Sequence, residues 1–186
     1  MFAFRVAEGV ELRLVEERHA EALFALIQEN HARLRAWVPW LDKTATLEAT
    51  RQHIRSRLHR FAEGNGFAAG IWQEGRLVGE IGLDYIDWPN RLTEIGYWLG
   101  AAFEGRGLIS RACRAVVAHA FGELGLKRVQ IRCAVENVRS RAVPERLGFR
   151  LEGTLRSAER LADRVVDLVV YGMLAEEWEA LRGAAT

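Results

Sequence analysis

The spacing of apolar positions changes several times along the chain, and each change marks an element. Val10 to Val15 alternates and predicts a strand. Glu17 to Asn30 sets Ala22, Leu23, Leu26 and Ile27 in one helical stripe. The pattern is lost over His31 to Leu41, where Trp37-Val38-Pro39-Trp40 puts a proline against any helix interior. Helical spacing returns over Leu47 to Glu63, with Arg51, Arg55, Arg57 and Arg60 as a solvated face. Gly66 to Trp72 and Leu77 to Ile86 read as strands joined by a hairpin turn at Glu74-Gly75-Arg76. Trp88-Pro89-Asn90-Arg91 turns into Leu92 to Leu99, a run rich in aromatic and β-branched residues. Leu108 to Leu124 places Leu108, Ala112, Val116, Ala120 and Leu124 on one helical face. Lys127 to Val135 alternates, with Val129, Ile131, Cys133 and Val135 on one side. Pro144 predicts a helix whose first turn begins close to it and which ends near Arg146. Gly148 to Leu155, Val165 to Met173 and a short helix around Glu176 to Leu181 follow. Three antiparallel strands, then strand-helix-strand-helix, then two more strands predict a mixed α/β fold.

Between the strand ending at Leu99 and the helix starting at Leu108 lies Phe103-Glu104-Gly105-Arg106-Gly107-Leu108-Ile109-Ser110. Glycines at this junction let a ligand approach the backbone and tolerate positive φ. The helix start leaves N–H groups without partners and carries partial positive charge, which suits a diphosphate. Arg106 adds a full charge beside it. The pattern is not the dinucleotide fingerprint, because Ser110 stands where the third glycine belongs, and no Gly-Lys-Ser/Thr makes it a P-loop. Taken alone, the loop fits an anion site and a tight βα turn equally.

The wider pattern narrows this. Glu94-Ile95-Gly96-Tyr97-Trp98-Leu99, Gly105-Arg106-Gly107, Glu136-Asn137 with Ser140, and Leu147-Gly148-Phe149 occur in that order. Leu34-Arg35 with Trp37, Pro39 and Trp40 precedes them, and Glu152-Gly153-Thr154-Leu155-Arg156 with Asp167 follows. In this order and spacing the chain resembles the GNAT acetyltransferases, and within them the RimJ/RimL-type branch that acetylates N-terminal amines of ribosomal proteins. The resemblance runs from about Val10 to Trp178. It implies a twisted mixed sheet, flanked by helices, whose strands Leu92–Leu99 and Lys127–Val135 splay apart. It implies acetyl-CoA as co-substrate, with the pantetheine arm in the splay. Cofactor contacts are then expected at Trp98, Leu99, Gly105, Arg106, Gly107, Leu108, Ile109, Ser110 and Asn137, and acceptor contacts at Trp37 and Trp40. Glu104 departs from the pattern, which usually has Gln or Arg there, and a carboxylate beside a diphosphate is expected to face away. Ile109 replaces the usual small residue.

Composition agrees with a single domain over residues 1–186, a length that supports a real core. With 26 basic against 25 acidic residues and a net charge of +1, nothing favours general nucleic-acid binding. Cys113 and Cys133 have no zinc or redox spacing and read as buried free thiols. The early Glu8 and Glu11 and the lack of a long apolar run argue against a signal peptide or membrane span. A cytoplasmic protein is expected, whose partners are the acceptor and at most a second copy of the chain, with no nucleic acid and no membrane.

Acetyl transfer to an amine needs a held thioester, a base for the amine, donors for the oxyanion and a proton for the leaving thiolate. Direct attack requires no nucleophilic intermediate, and neither cysteine has a neighbouring histidine to activate it. His19, His31, His53, His59 and His119 are scattered without ligand spacing, so no metal is expected. Glu94, set among apolar strand neighbours, is the first candidate for the base, with Glu80 and Glu104 behind it; a solvent-facing or arginine-paired strand glutamate is the plainer alternative. Ser140 is the candidate acid, against the plainer role of capping a helix start. No tyrosine occupies Val143-Pro144-Glu145, where many GNAT proteins carry their acid. The favoured acceptor is a protein N-terminal amine. A small amine such as an aminoglycoside or polyamine is the alternative enzyme, to be told apart by an acidic cleft around Glu80, Asp84 and Asp87. A silent acetyl-CoA-binding module is the alternative from another class, marked by the absence of turnover with any amine.

Overall fold

A computed structural model of the protein describes residues 3–183; residues 1–2 and 184–186, the ends of the expected 1–186 domain, lie outside them. The elements are β1 (Ala3–Ala7), β2 (Val10–Leu14), α1 (Ala20–Leu34), α2 (Leu47–Ala62), β3 (Phe67–Gln73), β4 (Arg76–Asp87) and β5 (Leu92–Leu99). After them come α3 (Leu108–Gly122), β6 (Arg128–Ala134), α4 (Val138–Leu147), β7 (Arg150–Leu161), β8 (Arg164–Leu174) and α5 (Ala175–Gly183). Among the described residues the strands form one eight-stranded sheet in the order β1-β2-β3-β4-β5-β6-β8-β7.

Every neighbouring pair is antiparallel except β5 and β6, which are joined through α3. A parallel return needs such a crossover. Their ladder is short, matching only Leu92, Thr93 and Glu94 with Arg128, Val129 and Gln130. Beyond Glu94 the strands part. β5 stays with β4 as far as Leu99, and β6 stays with β8 as far as Ala134. The facing edges of Ile95–Leu99 and Ile131–Ala134 therefore have no ladder partner among the described residues, which is the expected splay.

Helices cover both faces. Val116, Val117 and Ala120 of α3 and Trp178 of α5 pack on Ile81, Ile95, Ile131 and Met173. On the other face Leu23, Ile27 and Leu34 of α1 and Ile54 of α2 pack with Leu77 and Trp98. Each such side chain, fully buried, stabilises the fold by about 1.5–3 kcal/mol.

Three departures from the sequence reading matter for the site. First, β1 was not anticipated, because Ala3, Phe4 and Arg5 are exposed and show no alternation. Second, α4 begins at Val138 rather than near Pro144. Asn137 caps it, its Oδ1 accepting the Ser140 N–H at 3.2 Å. Pro144 then falls inside the helix and has no N–H for the carbonyl of Ser140 four residues earlier. The Tyr97 hydroxyl donates to that carbonyl instead, at 2.9 Å, and so ties α4 to β5. Third, β7 runs on to Leu161 through a register shift between Leu155 and Glu159. Ser157 has φ of 48° there, and its N–H donates to Asp167 Oδ1 at 2.7 Å.

Candidate active site

At the splay opens a cleft of about 1310 Å³. Alternation along β5 gives it two unlike walls. Ile95, Tyr97 and Leu99 join the core beneath α3 and α4, while Trp98 joins the core beneath α1 and α2. Glu94 and Gly96 share the Trp98 side.

The first wall carries the glycine loop. Gly105 and Gly107 have φ of 74° and 70°. Gly107 is the left-handed N-cap of α3, and a Cβ there would meet Arg111 Nη1 at 3.1 Å. The first turn of α3, through Leu108, Ile109 and Ser110, lines the cleft with its N-terminus. Arg111, Arg114 and Arg146 line it too, and Arg146 donates to Ser110 Oγ at 3.0 Å. Arg106 is turned the other way. Its guanidinium donates to the Ala102 carbonyl at 3.0 Å and does not line the cleft, so the positive charge at this end comes from residues further along α3 and α4. Glu104, expected to face away, lines the cleft. Its two oxygens are held by Arg33 at 2.5 Å and Arg139 at 2.6 Å, which neutralises it. Arg33 also donates to the Leu99 carbonyl.

Ser140 stands where this wall reaches the splay. It is not the cap of α4, a role held by Asn137. Its hydroxyl lies 3.2 Å from Cys133 Sγ and 3.4 Å from the Tyr97 hydroxyl. Burial pushes the Tyr97 phenol well above its ordinary range and raises the Cys133 thiol as well. Both stay protonated and serve the serine as neutral hydrogen-bond neighbours.

The second wall is rich in carboxylates. Glu94, 8% exposed, accepts from Arg132 Nε at 2.7 Å and Gln130 Nε2 at 3.0 Å through the same oxygen. Asp84 is paired with Arg57 at 3.0 Å. Glu80, 7% exposed, accepts among the described residues only from the Trp98 indole N–H, at 3.0 Å. Glu159 lines the cleft half-buried and has no ion-pair partner among the described residues. Burial raises the Glu159 carboxyl; Arg132 opposes the shift, and Glu94 and Asp84 add to it. Burial also raises Glu80, against Arg57 and the Trp98 hydrogen bond, with Asp84 adding to it. Asp87 is away from the cleft, accepting from Asn90 in the turn before β5.

Aromatic residues border this wall. Trp40 stacks on His53 with centroids 4.6 Å apart and meets Trp98 edge-on at 6.4 Å. Burial, with Arg57, Arg60 and Lys43 nearby, lowers the His53 imidazole to about 4, so it is neutral near pH 7. Trp37 packs against Ala134, Leu161, Val166 and Leu168, with Arg164 over its ring at 5.1 Å.

A family profile described as an acetyltransferase (GNAT) domain matches residues 10–150. The chain belongs to the GNAT acetyltransferase family. YdaF of Bacillus subtilis (strain 168), provisionally named a ribosomal N-acetyltransferase, is 42% identical over 180 residues, covering 96% of this chain and 98% of that one. The ribosomal-protein-serine acetyltransferase of Escherichia coli (strain K12) is 34% identical over 172 residues, covering 92% and 96%. Among solved structures, RimL, described as a ribosomal L7/L12 alpha-N-protein acetyltransferase in complex with coenzyme A, superposes with a TM-score of 0.91. It is 29% identical and covers 95% of this chain and 99% of that chain.

For a GNAT acetyltransferase the two walls divide the work. One offers backbone groups and positive charge; the other offers proton acceptors. Sequence reasoning brought Glu94, Ser140, Asn137, Trp37, Trp40 and the glycine loop to this cleft. It missed Glu159, Tyr97 as the partner of Ser140, and the arginines Arg33, Arg111 and Arg146. Glu159 had one available signal: Asp167, noted as a matching residue, holds the bulge that precedes it.

Proposed function

We propose that this GNAT acetyltransferase moves the acetyl group of acetyl-CoA onto the N-terminal α-amine of a protein, ribosomal proteins first among the acceptors. The observation that carries this is the meeting, at one splay, of a wall suited to an amide-bearing anionic ligand and a wall where Arg57 and Arg132 pair with Asp84 and Glu94 while Glu159 has no ion-pair partner among the described residues. The free edge of Ile95–Leu99 and Asn137 fit the amides of a pantetheine arm. The start of α3 behind Gly107 fits the diphosphate, with Arg111 and Arg146 beside it. Bound there, acetyl-CoA supplies the activated acetyl group. Glu159 takes the proton of the acceptor ammonium. Glu94 is less suited to do so, because Arg132 at 2.7 Å already pairs with its carboxylate; we assign it to positioning Arg132. Ser140 donates toward the departing thiolate. Trp37 and Trp40 border the acceptor's path. The names of the Escherichia coli serine acetyltransferase and of RimL support an N-terminal acceptor. The unbroken sheet from β1 to β7 supports reading the chain as one catalytic unit, and a ribosomal acceptor supports a cytoplasmic site of action.

Release of free thiol from acetyl-CoA, followed across N-terminal peptides, aminoglycosides and polyamines, tests this reading. Turnover with peptides carrying a free N-terminus, abolished when that terminus is blocked, is expected. Turnover confined to small amines overturns it, as does the absence of turnover with any amine.

Ser140 and Asn137 are separable in the same assay. Ser140→Ala is expected to lower kcat by roughly 10–10³-fold, the size of one transition-state donor, with thermal stability close to that of the wild type. Asn137→Ala is expected to lose about 1 kcal/mol of stability through its cap. Melting curves and turnover on the same preparations check both, and an unchanged kcat in Ser140→Ala removes the hydroxyl from the mechanism.

A further inference from the structure

We propose that Glu80 selects acceptors by holding a second cationic group, an ammonium or guanidinium carried within a residue or two of the reacting amine. This rests on the N-terminal acetyltransferase reading above. The starting point is the charge balance of the acceptor wall. Asp84 is matched by Arg57 at 3.0 Å and Glu94 by Arg132 at 2.7 Å. Two carboxylates are left. Glu159 is assigned to the proton of the reacting amine, and Glu80 has no ion-pair partner among the described residues, the nearby Arg57 being paired with Asp84.

The surroundings of Glu80 point to what it takes. The only donor reaching it among the described residues is the neutral Trp98 indole, on Oε2. A carboxylate this deeply buried, with one neutral donor, costs folding stability, and a bound cation offsets that cost. Glu80 lines the cleft, 7% exposed. Trp98 donates to it and Trp40, also in the cleft lining, meets Trp98 edge-on, and indole faces favour ammonium and guanidinium groups. His53, behind Trp40, is held neutral by burial and supplies no competing charge. Glu80 and Glu159 line the same cleft, so an acceptor whose reacting amine meets Glu159 extends along the wall that carries Glu80.

The test uses acetyl-CoA with paired peptides that differ only in lysine or norleucine at position 2 or position 3. Norleucine keeps the aliphatic stem and removes the charge. The wild-type enzyme is expected to favour one of the lysine peptides by about tenfold or more in kcat/KM, mainly through KM. In Glu80→Gln, where the amide oxygen can still accept from Trp98, the ratio is expected to fall close to one. Equal rates for the paired peptides in the wild type overturn the inference without any variant, and leave the N-terminal reading standing. A lysine preference that survives in a folded Glu80→Gln enzyme also overturns it. Acetylation of neither peptide removes the N-terminal reading and this inference with it.

Discussion

Glu159→Gln is expected to lower kcat by roughly 10²–10⁴-fold, the usual contribution of a positioned base, while CoA affinity stays close to that of the wild type. The separation follows from the two walls, since Glu159 stands with Glu94 and Asp84, away from the glycine loop. The pH profile gives a second readout. A base works only when unprotonated, so rate is present above its pKa and lost as pH falls through it. Burial, Glu94 and Asp84 hold the Glu159 carboxyl above the ordinary carboxylate value against the pull of Arg132. The acidic limb of kcat/KM is therefore expected above the ordinary range, and absent in Glu159→Gln. Glu94→Gln is expected to cost less and to keep the limb, because its loss loosens Arg132 without removing the proton acceptor. A Glu159→Gln enzyme with normal rate and limb, beside a Glu94→Gln enzyme that loses both, returns the base to Glu94.

That exchange of roles between two glutamates marks where the sequence stops being readable. Glu94 was visible because it lies in a strand of clean composition, and it is the last rung of the ladder before the splay. Its partner Arg132 was not visible as such, since the pair forms only when the β5–β6 ladder sets Glu94 beside Gln130. Glu159 was hidden by its own geometry. Alternation breaks between Leu155 and Glu159, where an added stretch of backbone re-aims the strand, so the readable strand ends too early. The same limit applies to Glu104. Its departure from the family pattern was plain, but Arg33 is 71 residues away along the chain and Arg139 lies 35 residues on. No local pattern joins them.

Local chemistry was readable where one residue type has one physical consequence. The paired glycines predicted a positive-φ loop ahead of a helix, and both adopt it. Pro144 was read in the usual way, as a helix start. The structure instead places it mid-helix and fills the vacant carbonyl of Ser140 from another strand. A proline that removes a helical hydrogen bond here creates an anchoring point between α4 and β5. It also fixes the residue assigned to the thiolate. No tyrosine lies on α4, and Tyr97 brings a phenol to Ser140 from β5.

Gly107→Val is expected to weaken CoA binding by about 10²-fold or more, with the protein still folded. Three costs add. The residue caps α3 in the left-handed region, where a side chain costs roughly 1–2 kcal/mol. A Cβ would stand 3.1 Å from Arg111 Nη1 and press that guanidinium out of place. The branches of valine would then occupy the space through which a diphosphate approaches the first N–H groups of the helix. Only the first cost falls on folding, and it is a modest fraction of the stability of a typical domain. The others fall on the ligand. Gly105→Ala serves as the contrast. Its φ of 74° carries the same strain, but a Cβ there meets nothing within 4 Å. Calorimetric titration of CoA into both variants, with melting curves on the same samples, separates strain from obstruction. Similar loss of stability in the two, with loss of affinity concentrated in Gly107→Val, is the expected result. Wild-type CoA affinity in a folded Gly107→Val protein would move the diphosphate away from the start of α3.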